Sequence, residues 1–156
     1  MGGVRAADAR RDLVVKSIDL HTGSLRFVRP RDAAVLLDLE DVAVDEAYPP
    51  YWAELWPSGV ELAYQLSTHD WSGTSVVELG CGLGLPAIAA ALAGATVLAT
   101  DRAPDSLTFT AANAEANHAQ VATALCSWDA PESLVERGPW QLVLASDVLH
   151  GQRNCD

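Results

Sequence analysis

Glu78, Gly80, Gly82, Gly84 and Asp101 are the residues whose types and spacing most directly imply chemistry in this chain. The glycines recur at every second position of Gly80-Cys81-Gly82-Leu83-Gly84. There the backbone can take angles that side chains forbid, and a ligand can come close. Glu78 precedes the first glycine and is expected to point into the crevice at the end of its strand. It would oppose a pyrophosphate and suit an ammonium or a sulfonium. Asp101 follows about 20 residues on, where an acid ending the next strand can accept hydrogen bonds from ribose hydroxyls.

The spacing discriminates among ligands. The dinucleotide fingerprint is G-x-G-x-x-G, and Leu85 stands where its third glycine belongs. No Lys-Ser or Lys-Thr follows, which excludes a phosphate-binding P-loop. Asp101 alone fits a nicotinamide cofactor equally well, so an oxidoreductase is the competing class. Glu78, the glycine spacing and Asp101 together favour an adenosyl ligand without phosphates, S-adenosylmethionine.

These residues need a strand before the turn and a helix after it. Val76, Val77 and Leu79 suit a buried strand over residues 74–79. Residues 85–93 are rich in helix formers, with Pro86 in the first turn, where a missing N–H costs little; Gly94 stops the run. The alternation continues with a strand over 95–100 and a helix over 104–117 carrying Leu107, Ala111 and Ala114 on one face. A strand over 121–126, a short helix over 131–137 and a strand over 140–146 complete it. This rhythm predicts an α/β fold, a parallel sheet with right-handed crossovers and flanking helices.

Upstream, residues 16–28 alternate polar and apolar around Thr22-Gly23-Ser24 and predict a β-hairpin. Residues 31–46 read as a loop or short helix. Tyr48, Tyr51, Trp52 and Trp56 cluster just before Pro57, which opens a helix with Val60, Ala63, Tyr64 and Leu66 at contact spacing.

The chain has 156 residues, 49% of them hydrophobic, and a formal net charge of −11. That size and composition suit one folded unit able to bury a core. No apolar run approaches the ~20 residues of a membrane span, and the first residues lack a signal peptide's apolar core. An acidic body repels phosphate backbones, which disfavours nucleic acid as a partner. The charge is either a soluble surface or a cleft for a cationic cofactor or a lysine-bearing substrate. Cys81, Cys126 and Cys155 are odd in number and widely spaced. They predict reduced thiols in a cytoplasm and no zinc site.

Glu78-Leu79-Gly80-Cys81-Gly82-Leu83-Gly84 resembles the first motif of the class I, seven-strand, Rossmann-like methyltransferases. Pro50 through Ser58, Trp128-Asp129 and Ser146-Asp147-Val148-Leu149-His150 are similar to the branch holding protein-lysine and nicotinamide N-methyltransferase-like enzymes. The resemblance covers roughly residues 48–150. It implies an extension over 1–47, with the hairpin, followed by a partial methyltransferase domain over 48–156. It also implies strand order 3-2-1-4. That branch continues with another helix–strand unit and a terminal hairpin, so the expectation is a C-terminally truncated chain whose fourth strand exposes Val143 and Leu144 at an open edge.

By the same resemblance Trp56 lines the cofactor site, Gly80, Cys81 and Gly82 pass along the methionine end, Asp101 takes the ribose and Trp128 the adenine. Ser146 and Asp147 close the site beside the transferable methyl. His150 replaces the branch's tyrosine and stands near the substrate amine or simply on the surface. Trp56 and Trp128 are alternatively core aromatics, Asp129 a helix cap, and Cys81 a small filler. The activity implied is methyl transfer to an amine, either a protein lysine or a small molecule; the alternative is a cofactor-binding remnant without activity.

Overall fold

The computed structural model describes residues 12–33 and 51–149. Two antiparallel strands come first, β1 (Leu13–Leu20) and β2 (Gly23–Pro30). A 3-10 turn (Tyr51–Ala53) leads into α1 (Pro57–Ser67). Strand and helix then alternate: β3 (Ser75–Leu79), α2 (Leu85–Leu92), β4 (Thr96–Asp101), α3 (Pro104–Ala116), β5 (Val121–Leu125), α4 (Glu132–Glu136) and β6 (Leu142–Ala145). The last four strands form one parallel sheet in the order β5-β4-β3-β6. Their carboxyl ends therefore share one edge, where open parallel sheets bind ligands. Residues 34–50, with the region expected to be a loop or short helix, lie outside the described residues.

Local chemistry sets the boundaries. Proline opens α1 and α3, where its fixed φ is already helical. Gly94, at φ 100°, ends α2 as its N–H turns back to the Ala91 carbonyl at 3.0 Å. The hairpin turns one residue earlier than predicted. Its loop is His21-Thr22, because Gly23 already pairs with Leu20, and its strands run outward as far as the Leu13–Pro30 pair.

Side chains alternate across the sheet. Val76, Val97 and Leu144 face a core shared with Ala87, Ile88 and Ala90 of α2, Ala63 and Leu66 of α1, and Phe27 of β2. Val77 and Leu98 face the other side, toward Leu134 and Trp140. Phe27 and Ile88 are fully buried, and each such side chain contributes about 1.5–3 kcal/mol. On α1, Ala63 and Leu66 are buried as expected, but Tyr64 is exposed. At the β6 edge, Val143 is exposed as expected, whereas Leu144 is buried because it points into the larger core.

The buried face of α3 departs from the apolar expectation. Ser106, Thr110, Asn113 and Ala114 are buried, while Ala111 is exposed. Hydrogen bonding outweighs apolar pattern here. Asn113 Oδ1 accepts from the Val28 N–H at 2.8 Å, and its Nδ2 donates to the Val28 carbonyl at 3.1 Å. One helical turn on, Asn117 repeats the arrangement on Arg26, at 2.9 and 2.8 Å. Two side-chain amides at i, i+4 thus take the place of a neighbouring strand and satisfy the outer edge of β2. The ion pair Arg29–Glu54 (2.9 Å) ties the same strand to the segment before α1.

Replacing Asn113 by Ala strips partners from three backbone groups, the buried Leu83 carbonyl and the partly buried N–H and carbonyl of Val28. Each unsatisfied group costs about 1–3 kcal/mol, so Asn113→Ala should lower the unfolding free energy by about 2–4 kcal/mol. The more exposed Asn117→Ala should cost about 1 kcal/mol. Urea unfolding measures both; equal losses at the two sites contradict the assignment.

Candidate functional site

β3 delivers the chain into the glycine turn at the carboxyl edge. Gly80, Gly82 and Gly84 have φ of 66°, 55° and 83°, a region where a Cβ costs about 1–2 kcal/mol. Two of them serve the protein's own packing before any ligand. A Cβ on Gly84 would sit 2.6 Å from Thr110 Cγ2, and one on Gly82 would sit 3.0 Å from the Trp52 carbonyl oxygen. Gly80 is the glycine at the crevice. Val148 Cγ1 and Trp128 Cζ2 would lie 2.9 and 3.5 Å from a Cβ there, so the segments after β6 and β5 meet over it.

The turn is fixed by its own hydrogen bonds. Cys81 N–H donates to the Thr100 carbonyl (2.9 Å) and Gly84 N–H to the Cys81 carbonyl (2.7 Å). Gly82 N–H donates to Asp101 Oδ2 at 3.0 Å. From α3, Ser106 Oγ and Thr110 Oγ1 donate to the Gly82 carbonyl at 2.7 and 3.0 Å. Asn113 Nδ2 also reaches the Leu83 carbonyl at 3.2 Å. These three α3 residues escaped the sequence analysis. Their signal was polar side chains at i, i+4 and i+7, one face of a helix.

The expectation for Glu78 is corrected. Its side chain shares the strand face of Val76, beneath the turn, and is 1% exposed. Oε2 accepts the Ala87 N–H at 2.9 Å. Ala87 is the third residue of α2, whose N-cap, Gly84, has no side chain to offer. Glu78 therefore caps α2 from a distance and satisfies one of its orphan donors. Burial pushes its carboxyl well above the usual carboxylate range; the Ala87 N–H pulls it down, and the nearby Asp101 charge adds to the rise.

Asp101 ends β4 at the mouth, 7% exposed. Oδ1 accepts the Ala103 N–H at 3.0 Å while Oδ2 holds Gly82. Each oxygen retains a second lone pair for a hydroxyl. Cys81 is buried, with Sγ 3.5 Å from Thr110 Oγ1 and 3.8 Å from Ser106 Oγ. Burial pushes its thiol far up, so it is a filler and no nucleophile.

Around this centre, Trp128 is partly exposed beside Gly80. Trp56 precedes α1, its Nε1 donating to the Tyr51 carbonyl at 3.0 Å and its ring edge-to-face with Tyr51 at 5.8 Å. Ser146 follows β6 with its Oγ against α1, 3.3 Å from where a Cβ on Gly59 would lie. Asp147 has φ 51° and accepts a hydrogen bond from Ser58 Oγ of α1. Asp129 accepts from Ser127, and Pro131 holds the cap position of α4. His150 lies outside the described residues.

This arrangement is unsuited to phosphate. A phosphate cradle needs outward amides or a bare helix N-terminus. Here the amides of Cys81, Gly82 and Gly84 are consumed internally, and a carboxyl covers the start of α2. What is offered is acidic and rich in acceptors.

The sequence pattern of a family described as lysine methyltransferase matches residues 48–155. An electron transfer flavoprotein beta subunit lysine methyltransferase from Danio rerio is 39% identical over 112 residues, covering 69% of this chain and 42% of that protein. Protein N-lysine methyltransferase METTL21A, also from Danio rerio, is 35% identical over 105 residues, 63% of this chain and 48% of that protein. The chain thus spans less than half the length of these relatives. Among solved structures, a T. thermophilus 16S rRNA N2 methyltransferase in complex with AdoMet and guanosine superposes with a TM-score of 0.61 at 20% identity, covering 90% of this chain and 34% of that one. At that identity the likeness concerns the fold.

Two predictions follow from the site's geometry. Gly84→Ala adds a left-handed alanine and a clash with Thr110, and should cost about 2–4 kcal/mol; pairing it with Thr110→Ser, which removes the offending methyl, should restore part of the loss in urea unfolding. Glu78, with its folded pKa raised, favours the fold while neutral; that contribution is present at acid pH and fades as pH climbs from the ordinary carboxylate range toward the raised value. Glu78→Gln should therefore resist urea better than the parent at pH 7, with the gap closing toward pH 4. A variant less stable than the parent at pH 7 contradicts this assignment.

Proposed function

Because the chain belongs to the lysine methyltransferase family, we propose that it binds S-adenosylmethionine at the Gly80 turn and transfers the methyl group to the ε-amine of a lysine in another protein. The observation that carries this is the internal use of the Cys81, Gly82 and Gly84 amides together with the carboxyl over α2. Such a crevice disfavours a pyrophosphate and suits a ligand that is hydroxylated, cationic and free of phosphate.

The residues present fit that cofactor. Asp101, with one lone pair free on each oxygen, would take the ribose hydroxyls. Trp128, whose ring lies beside Gly80, would take the adenine, the Gly80–Gly82 backbone would pass along the methionine end, and Ser146 would close the site beside the methyl. Glu78 would act from beneath, through the turn it anchors. Trp56 would border the site from the head of α1.

When bound, S-adenosylmethionine supplies an electrophilic methyl on a sulfonium sulfur, which departs as a neutral thioether. The protein's work is positioning and proton management. A lysine amine has a reference pKa of ~10.4, so it must shed a proton before its lone pair can attack. Asp147, at the carboxyl edge beside Ser146, would accept a hydrogen bond from the amine and orient it. Cys81 takes no part, since in-line transfer needs no covalent intermediate.

A protein acceptor is favoured by the names of the relatives, and the net charge of −11 opposes a nucleic-acid acceptor. We place the activity in the cytoplasm, where free thiols such as Cys81 and Cys126 persist.

Incubation with tritiated S-adenosylmethionine and a cell extract tests this reading. Label should appear as methyl-lysine after acid hydrolysis of the protein fraction. Asp101→Ala should weaken cofactor binding about 10- to 100-fold, the worth of hydrogen bonds to a charged acceptor. Label confined to nucleic acid, or undiminished transfer by Asp101→Ala, overturns it.

A further inference from the structure

We propose that Ser106 is a positioning residue for the cofactor's ribose, fixing through Gly82 the direction in which Asp101 presents its carboxylate. The inference rests on the cofactor reading proposed above and extends it to a residue of α3 that touches no ligand.

Asp101 is aimed by two backbone donors. Ala103 N–H holds Oδ1 and Gly82 N–H holds Oδ2, each at 3.0 Å. The donors belong to different elements, one to the start of α3 and one to the glycine turn. The plane of the carboxylate is constant only if those two elements keep a constant relation, and Ser106 supplies it. Ser106 lies in the first turn of α3, whose N-cap is Ala103, and its hydroxyl donates to the Gly82 carbonyl at 2.7 Å. The bonds close a ring. It runs from Ser106 to the Gly82 carbonyl, from the Gly82 N–H to Asp101, from Asp101 to Ala103, and back along the helix to Ser106.

Gly82 is the pivot of that ring. At φ 55° and without a side chain, it can swing its N–H through a range closed to other residues. Its direction must be imposed by what it bonds. Its carbonyl accepts from Ser106 and, one turn along α3, from Thr110 at 3.0 Å. Ser106 makes the shorter bond and shares its helical turn with Ala103. Cys81 Sγ lies 3.8 Å from Ser106 Oγ, a weak contact beside the bond to Gly82. Ser106 is fully buried, while Asp101 stands at the mouth, so the hydroxyl acts on the ribose only through Gly82. A carboxylate held at both oxygens presents its remaining lone pairs in one direction. Hydroxyls that bind there need not order it first, which preserves affinity.

The test uses the full chain and calorimetry with two ligands, S-adenosylhomocysteine and its 2′,3′-dideoxy analogue, which lacks both ribose hydroxyls. The parent should prefer S-adenosylhomocysteine. Ser106→Ala should bind S-adenosylhomocysteine about tenfold more weakly, the effect of misdirecting one hydrogen bond to a charged acceptor, and the analogue within about twofold of the parent. A loss of structure alone would weaken both ligands alike. Thr110→Val removes the other donor to the same carbonyl and keeps the side chain's shape; it should shift the preference in the same direction, and it decides the question if Ser106→Ala does not fold. Thr108→Ala, an exposed site on α3 whose hydroxyl bonds the Pro104 carbonyl, should leave both affinities unchanged. In an Asp101→Ala background, Ser106→Ala should change nothing further. Equal weakening of the two ligands, or additive losses in the double variant, overturns the proposal and leaves the cofactor assignment standing. A parent that binds the two ligands equally removes Asp101 from the ribose and the proposal with it; a parent that binds neither overturns the cofactor reading as well.

Discussion

The Gly82 carbonyl accepts hydrogen bonds from both Ser106 and Thr110, and the carboxyl edge of the sheet is organised around that capture. A turn with three left-handed glycines cannot satisfy its own polar groups by regular structure, and each buried group left unpaired costs about 1–3 kcal/mol. The partners must come from elsewhere, and α3 supplies them. Its price is an interior face of hydroxyls and an amide where an ordinary helix would carry leucine. Asn113 extends the same logic outward: one side chain bonds the turn at Leu83 and the hairpin at Val28. Hairpin, α3 and glycine turn are therefore one hydrogen-bonded assembly, and the close contact of Gly84 with Thr110 follows from it.

Much of the architecture was legible from local patterns. The strand–helix alternation, the prolines that open α1 and α3, and Gly94 after α2 are short-range signals, and the elements form where they indicate. The errors share a physical origin. Apolar periodicity assigns the buried face of a helix to its hydrophobes, so it chose Ala111 over Thr110 and Asn113, whose burial is decided by acceptors distant in sequence. Glu78 was expected in the crevice because its position along β3 was clear while its strand face was not. The glycines were credited to ligand approach because a sequence cannot show that Thr110 and Trp52 already occupy the space. The Ser58–Asp147 bond joins positions too far apart for any local pattern to reveal.

Buried acid is the other thread. Glu78 is held where desolvation opposes its charge, yet an apolar residue would leave the Ala87 N–H unpaired. Keeping a carboxyl in such a place is the behaviour of a functional site more than of a core. It caps α2 with the one group that also makes the turn inhospitable to phosphate. Asp147 mirrors it at the start of α1. Two helices that begin without side-chain caps each meet a carboxyl from another element, Glu78 buried beneath the turn at α2 and Asp147 on the Ser58 hydroxyl at α1. Fold stability and ligand choice are thus set by the same residues, which ties loss of one to loss of the other.

The central claim is that this glycine turn selects an adenosyl ligand lacking phosphates. Parallel calorimetric titrations of the intact chain with S-adenosylhomocysteine and with NADH test it most directly. The account predicts one-site binding of S-adenosylhomocysteine and no heat of binding from NADH. Saturable NADH binding, with S-adenosylhomocysteine silent, would contradict it.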